Sequence, residues 1–206
     1  MELKPHDLVR FRNLDSIIFD PPTPGWAIES LMRAPFAVVR RAKILRSAVP
    51  VGIRGSSRNQ RIAATIELDN IIQCISPEEL ALNKNWRTNK HLQEIGISNA
   101  LEFVNSILTQ ERINWGPTGS IGFELASGIF TATEKSDLDI TIRTSEFLPI
   151  ETSKELMVKL LQAPVKVDVQ LETIIGCVIL AEYARGESKI ILRTSDGPRL
   201  VKNPWL

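Results

Sequence analysis

The sequence predicts an α+β protein: a small β-rich domain over residues 1–80, then a domain over residues 81–206 in which helices flank a mixed sheet. Two observations carry that expectation. Short runs rich in β-branched residues, punctuated by Pro and Gly, fill the first part, and near residue 80 the apolar spacing changes to the helical period. The chain has 206 residues, 43% of them hydrophobic, enough for one good core or two small ones.

Taken in order, "PFAVVRRA" (Pro35 to Ala42), "VPVGIRG" (Val49 to Gly55) and "RIAATIEL" (Arg61 to Leu68) read as strands of the first domain. Ser76 with Glu79 three residues on forms a capping box that opens a helix in "SPEELALNKNWR". In "SNALEFVNSILTQER", Leu101, Val104, Ile107 and Leu108 recur at helical spacing. A turn at Gly119-Ser120 follows, then a short helix to about Ala126, ended by Gly128. "SDLDITIR" alternates as a strand, with Leu138, Ile140 and Ile142 inward and Asp137, Asp139, Thr141 and Arg143 outward. "VKVDVQLE" repeats the arrangement, with Val165, Val167, Val169 and Leu171 on one side and Lys166, Asp168 and Gln170 on the other. An amphipathic helix is expected across "TIIGCVILAEYARG", with Gly186 just past its end, and "KIILRTSDGPRLV" reads as a hairpin about an Asp-Gly turn.

Charge and composition remove several function classes. A net charge of +1 argues against a general nucleic-acid binder, which is usually strongly basic. No uncharged apolar run approaches the roughly 18 residues of a membrane span, and "MELKPHDLVRF" lacks a signal-peptide core, so the expected compartment is cytoplasmic with no membrane partner. Cys74 and Cys177 lack CxxC or Cys/His spacing, which favours two buried thiols in a reducing compartment over a disulfide or a zinc site.

The chemistry concentrates in "GPTGSIGFELASGIFTATEKSDLDITIR" (Gly116 to Arg143). Asp137 and Asp139, at i and i+2 of one strand, point the same way about 6.6 Å apart and repel unless something positive lies between them. Asp168 projects from a second strand, which makes a three-carboxylate site suited to a hard cation such as Mg²⁺. Gly119 allows close backbone approach, and the Ser120 hydroxyl with the N–H groups of the helix start can hold phosphates. A strand with two outward aspartates is, taken alone, more often a solvated face. The ordered conjunction of Gly-Ser, helix, Asp-x-Asp strand and later strand aspartate reverses that preference.

This order resembles the motif of the nucleotidyltransferase superfamily related to DNA polymerase β, at Gly119-Ser120, Asp137-Leu138-Asp139 and Asp168. With its flanks "KPHDLVRF", "PFAVVRRA", "VPVGIRGSSRNQRIA", "TGSIGFELASG", "KSDLDITI", "VDVQLET" and "LRTSDGPRLVKNPW", nearly the whole chain resembles one family, the phosphoribosyl-dephospho-CoA transferases of malonate decarboxylase, also called malonate decarboxylase holo-acyl-carrier-protein synthases. The resemblance implies a polymerase-β-like catalytic domain over 81–206. It also implies transfer of the 2′-(5″-phosphoribosyl)-3′-dephospho-CoA group from its triphosphate precursor to a serine of the apo carrier protein, releasing pyrophosphate. Asp137 and Asp139 would then bind Mg²⁺ and the reacting phosphates, with Asp168 a further ligand or the base for the carrier serine. Gly119 and Ser120 would hold the triphosphate, with Lys135 or Lys166 neutralising it.

Arg54, Arg58 and Arg61 cluster around Gly52 and Gly55 on a turn, where arginine forks could grip the substrate's phosphates or an acidic carrier protein, giving domain 1–80 a docking role. Arg40, Arg41 and Arg46 read equally well as solubilising surface. His6 beside Asp7 reads as local structure, His91 has no motif around it, and the scattered Trp26, Trp86, Trp115 and Trp205 read as packing. No G-x-S-x-G elbow supports serine-hydrolase chemistry. Two alternatives stay open at this level: a nucleotidyltransferase of the same fold with another acceptor, and a non-catalytic module that binds dephospho-CoA or a carrier protein.

Overall fold

The computed structural model describes residues 2–19, 23–43, 47–57 and 59–206. Two compact units are present, one of Met1–Ser76 with Ala126–Ile129 and the other of Pro77–Leu125 with Phe130–Leu206. Both mix strands with helices, so the fold class is α+β.

The first unit carries strands β1 (Leu8–Phe11), β2 (Ile17–Phe19), β3 (Phe36–Val39), β4 (Ala48–Arg54), β5 (Arg61–Glu67) and β6 (Ile71–Ile75), with helix α1 (Gly25–Arg33) between β2 and β3. The strands form one antiparallel sheet in the order β2-β5-β4-β3-β1-β6. Alternation explains its core: Val49, Val51 and Ile53 of β4 are buried with Ala64 and Ile66 of β5, and α1 adds Ala27 and Leu31 at i and i+4. The three expected strands are present, joined by β1, β2 and β6.

The second unit holds α2 (Pro77–Asn83), α3 (Lys90–Glu94), α4 (Ile97–Gln110), β7 (Trp115–Pro117), α5 (Gly119–Ser127), β8 (Leu138–Arg143), α6 (Ile150–Leu160), β9 (Val167–Glu172), β10 (Cys177–Ile179), α7 (Leu180–Tyr183), β11 (Ile190–Thr194) and β12 (Gly197–Val201). Its sheet runs β12-β11-β10-β9-β8-β7 and is mixed, because β8 and β9 are parallel while every other pair is antiparallel. A parallel pair needs a crossover, and α6 supplies it, so β8 and β9 begin at the same end of the sheet. Leu101, Val104 and Leu108 of α4 are fully buried with Leu138, Ile140, Ile142, Val169 and Leu171 of these strands, each side chain contributing about 1.5–3 kcal/mol by burial. Trp86, Trp115 and Trp205 are buried in the same core; neither cysteine is in a disulfide, and Cys177 is buried as expected whereas Cys74 is only partly so.

Two expectations need correction. The stretch Thr173 to Gly186 is not one helix: Thr173 N–H donates to Gly176 O (2.8 Å) in a tight turn, Cys177–Ile179 pairs with β9, and only Leu180–Tyr183 is helical. The β-branched Ile174, Ile175, Val178 and Ile179 favour extended backbone around Gly176, and the hairpin turned there buries Cys177 and Val178 completely. Thr141, expected outward, is fully buried, because the sheet is covered on both faces at that level. The hairpin at "TSDG" forms as expected, with Thr194 paired to Gly197 and Gly197 at φ 111°. No helix among the described residues is long and apolar enough to cross a membrane.

Candidate active site

The site grows from the register of three neighbouring strands. Asp139 and Asp168 are Cα partners on the parallel pair β8 and β9, side by side on neighbouring strands about 4.8 Å apart. Asp137 lies just before β8 on the same face as Asp139, one pleat repeat earlier. On the other side of β8, β7 pairs through Pro117 with Ile140, and Thr118 N–H donates to Asp139 O (2.8 Å), which fastens the Gly119-Ser120 turn to the aspartate strand. Gly119 has φ +61°, and a β-carbon there would be driven into the Asp139 carboxylate. The glycine in the motif is thus required by the backbone and by its neighbour together.

Helix α5 starts at this turn. Its first backbone bond is Gly122 N–H to Thr118 O (2.9 Å), which leaves the preceding amides without intrahelical acceptors at the positive end of the helix. Ser120 is buried, and the hydroxyl of Thr118 is buried with no hydrogen-bond partner among the described residues. That Thr118 hydroxyl was not singled out in the sequence, although "TGS" places it next to the glycine.

Electrostatics draw the three aspartates to one point. Lys166 Nζ donates to Asp168 Oδ2 (2.6 Å), and its ammonium is held above the usual lysine range, first by that hydrogen bond and then by the charges of Asp168, Asp137 and Asp139. All three carboxylates therefore act on a single cation, although no three acidic, His or Cys side chains are already gathered as a cage among the described residues. Lys135 is exposed on the segment leading into β8.

The arginines stand elsewhere in the first unit. Arg54 ends β4 and Arg61 begins β5, paired across the hairpin, so they are strand ends rather than turn residues; Arg58 lies outside the described residues. The Arg54 carbonyl accepts from Ser30 Oγ (2.5 Å).

Sequence inspection also passed over His91. Its Nδ1 lies 2.7 Å from Oε1 of Glu124, a side chain of α5 that is fully buried, and the other Glu124 oxygen accepts from the amides of Thr131 (2.9 Å) and Ala132 (3.0 Å). Thirty-three residues separate the pair, so no local motif could have revealed it.

Family models match the two halves of the chain: "Phosphoribosyl-dephospho-CoA transferase MdcG N-terminal domain" over residues 4–77 and the corresponding C-terminal domain over residues 81–204. The chain belongs to the phosphoribosyl-dephospho-CoA transferase family. Curated members are similar over almost their full length. The phosphoribosyl-dephospho-CoA transferase of Pseudomonas syringae pv. tomato is 37% identical over 201 residues, covering 98% of this chain and 92% of that protein. That of Pseudomonas putida is 37% identical over 204 residues, with 98% and 95% covered. That of Azotobacter vinelandii is 33% identical over 202 residues, with 98% and 94% covered. No solved structure matches the chain. Membership in the phosphoribosyl-dephospho-CoA transferase family places the chain among transferases, and the C-terminal match spans Gly119, Ser120, Asp137, Asp139 and Asp168.

Proposed function

We propose that this chain is a Mg²⁺-dependent, cytoplasmic nucleotidyltransferase of the polymerase-β-like type. It moves the 2′-(5″-phosphoribosyl)-3′-dephospho-CoA group from 2′-(5″-triphosphoribosyl)-3′-dephospho-CoA to a serine of the apo acyl carrier protein of malonate decarboxylase, releasing pyrophosphate. The observation that carries the proposal is the register that sets Asp139 beside Asp168 on the parallel strands, with Gly119 of the Gly-Ser turn packed against the Asp139 carboxylate, within a chain of this family.

The residues present suit the metal. Asp139 and Asp168 offer oxygen donors side by side on neighbouring strands, Asp137 lies on the same face one pleat repeat earlier, and Gly119 leaves Asp139 the space a β-carbon would fill. Asp137 and Asp139 would hold the ion, with Asp168 a further ligand or the base. When bound, Mg²⁺ supplies neutralisation of the charge that builds up on the phosphate oxygens. The helix-start amides of α5, Ser120 and the partnerless Thr118 hydroxyl are suited to the β- and γ-phosphates, and Lys166 and Lys135 to the charge of the departing pyrophosphate. The carrier serine Oγ forms a bond to the α-phosphorus, the bond from that phosphorus to the bridging β-oxygen breaks, and the serine proton passes to a carboxylate, Asp168 where it is the base rather than a further ligand. Arg54, Arg58 and Arg61 are proposed to contact the dephospho-CoA diphosphate or the carrier.

The direct test mixes the protein with Mg²⁺, the triphosphate substrate and apo carrier protein, following intact carrier mass and pyrophosphate together. A mass gain equal to the phosphoribosyl-dephospho-CoA group is expected; a folded enzyme giving neither product, while a known family member modifies the same carrier, would refute the proposal. A second readout needs no turnover. Lys166 is exposed, yet its raised pKa keeps it protonated to higher pH than an ordinary lysine, so in alkaline buffer it should react with an amine-acylating reagent more slowly than the lysine of an unstructured peptide. Mg²⁺ among the aspartates should speed Lys166 labelling, since a second cation lowers the amine's proton affinity. An unchanged Lys166 rate in saturating Mg²⁺ would mean that these aspartates do not take the ion.

A further inference from the structure

We propose that Phe130, backed by His91, is the platform on which the adenine of the dephospho-CoA group stacks; this rests on the substrate proposed above. The Phe130 side chain is 69% exposed, yet it is held in place. Its ring lies 4.3 Å from the His91 ring at 15°, a stacked pair that covers one aromatic face. The buried Glu124 carboxylate organises everything around that pair: Oε1 holds His91 Nδ1, and Oε2 accepts from the two amides that follow Phe130 in the chain.

A lone exposed phenylalanine on a surface needs no explanation. A buried carboxylate that accepts from two backbone amides of the loop carrying the ring and stands against the His91 ring stacked on it is a different case, because it fixes the backbone beside Phe130 and the ring behind it. The result is an aromatic ring backed on one face by His91, with the other face open to a planar base, and the contact with His91 lowers the rotamer freedom that stacking would otherwise have to freeze.

Position selects the ligand. Thr131 Oγ1 donates to Ser120 O (2.7 Å), so Phe130 is one residue away from a direct contact with the turn assigned to the phosphates. In the substrate, the reacting phosphate sits on a ribosyl group attached to the 2′-oxygen of the adenosine, and the adenine occupies the adjoining 1′ carbon. With the β- and γ-phosphates on Ser120, the α-phosphate, the ribosyl group and the 2′–1′ edge of the adenosine ribose span the distance from the turn to the adenine, and Phe130 adjoins the residue that is bonded to that turn. The pantetheine arm leaves from the other end of that nucleotide and has no planar group to offer the ring.

The test titrates 3′-dephospho-CoA with the intact protein in Mg²⁺ and follows the adenine H2 and H8 resonances, together with the KM for apo carrier protein. In the wild type both protons should move upfield as the base stacks. In Phe130→Ala that shift should vanish and the Kd should rise about tenfold, while Phe130→Trp keeps both and the carrier KM stays unchanged in each variant. If Phe130→Ala binds dephospho-CoA as the wild type does, with the same adenine shifts, the platform is wrong and the proposed substrate stands. A Phe130→Ala effect confined to the carrier KM would assign the ring to protein docking and overturn the adenine proposal. A wild type that does not bind dephospho-CoA at all would overturn it through the substrate proposal beneath it.

Discussion

Asp139→Asn is expected to lower carrier modification by at least about 10³-fold, equivalent to roughly 4 kcal/mol of transition-state stabilisation, while leaving the protein as stable as the wild type or slightly more so. Asparagine is nearly isosteric, and the contact that fixes the site, Thr118 N–H to the Asp139 carbonyl, belongs to the backbone and survives. What disappears is one of two like charges that the parallel register sets directly side by side, Asp139 against Asp168. Removing a like-charge neighbour relieves the folded state, whereas a site that collects a cation and phosphates loses a ligand. The two measurements therefore move in different directions for a functional carboxylate and stay together for a solvated one. Carrier-mass kinetics and thermal unfolding on the same preparation decide it: a variant within about fivefold of the wild-type rate would remove Asp139 from the chemistry.

How far the sequence led depends on the range of the interaction in question. The strands β8 and β9 were legible because their apolar residues alternate strictly, and that alternation alone placed Asp139 and Asp168 on one face. It could not set them in register. That follows from the α6 crossover, which makes the pair parallel and brings both strand starts to one end. Local period also misled: Ile174 to Leu180 is apolar at nearly every position, and such a run fits a helix face or a strand equally, so the β9–β10 turn was absorbed into a helix. Thr141 was assigned outward by parity, which tells the face but not whether that face is covered. Arg54 and Arg61 were assigned to a turn because glycines surround them, yet pairing across β4 and β5 extends through both. His91 and Glu124 meet only because α3 packs beside α5, a tertiary fact with no short-range signature.

The topology also accounts for why the site stands at this sheet end. Strand β7 delivers the Gly-Ser turn, β8 the Asp-x-Asp pair and β9 the third aspartate, so three adjacent strands present their chemistry at one level of the sheet. Helix α5 then carries the chain away from the turn, and Glu124, one helical turn beyond Ser120, secures the return path through Thr131 and Ala132 toward Asp137. The Gly-Ser turn is thus tied to the aspartate strand by Thr118 with Asp139, and to the segment that leads back toward that strand by Thr131 with Ser120.

Gly119→Ala should break that coupling at its narrowest point. Two costs act together. An alanine at φ +61° carries left-handed strain of about 1–2 kcal/mol, and its β-carbon would meet the Asp139 carboxylate, so either the turn lifts off β8 or the aspartate swings away. Lifting the turn also loses the Thr118 to Asp139 hydrogen bond, worth about 1 kcal/mol, for a total near 2–3 kcal/mol in denaturant midpoint. Because the turn and the carboxylate would hold opposite ends of one triphosphate, a displacement on the order of 1 Å between them should cost about 10²-fold in rate. Strain and clash separate in a double-mutant cycle. With Asp139 truncated to alanine, the nearest atom to the new β-carbon is the Asp139 β-carbon position at 3.1 Å, so most of the clash is gone and only the left-handed strain remains. The stability loss caused by Gly119→Ala should therefore shrink by about half in the Asp139→Ala background, although activity stays lost because the carboxylate is absent. Strictly additive stability losses would mean that the glycine is required by its backbone conformation alone, and that Asp139 is not what demands the missing side chain.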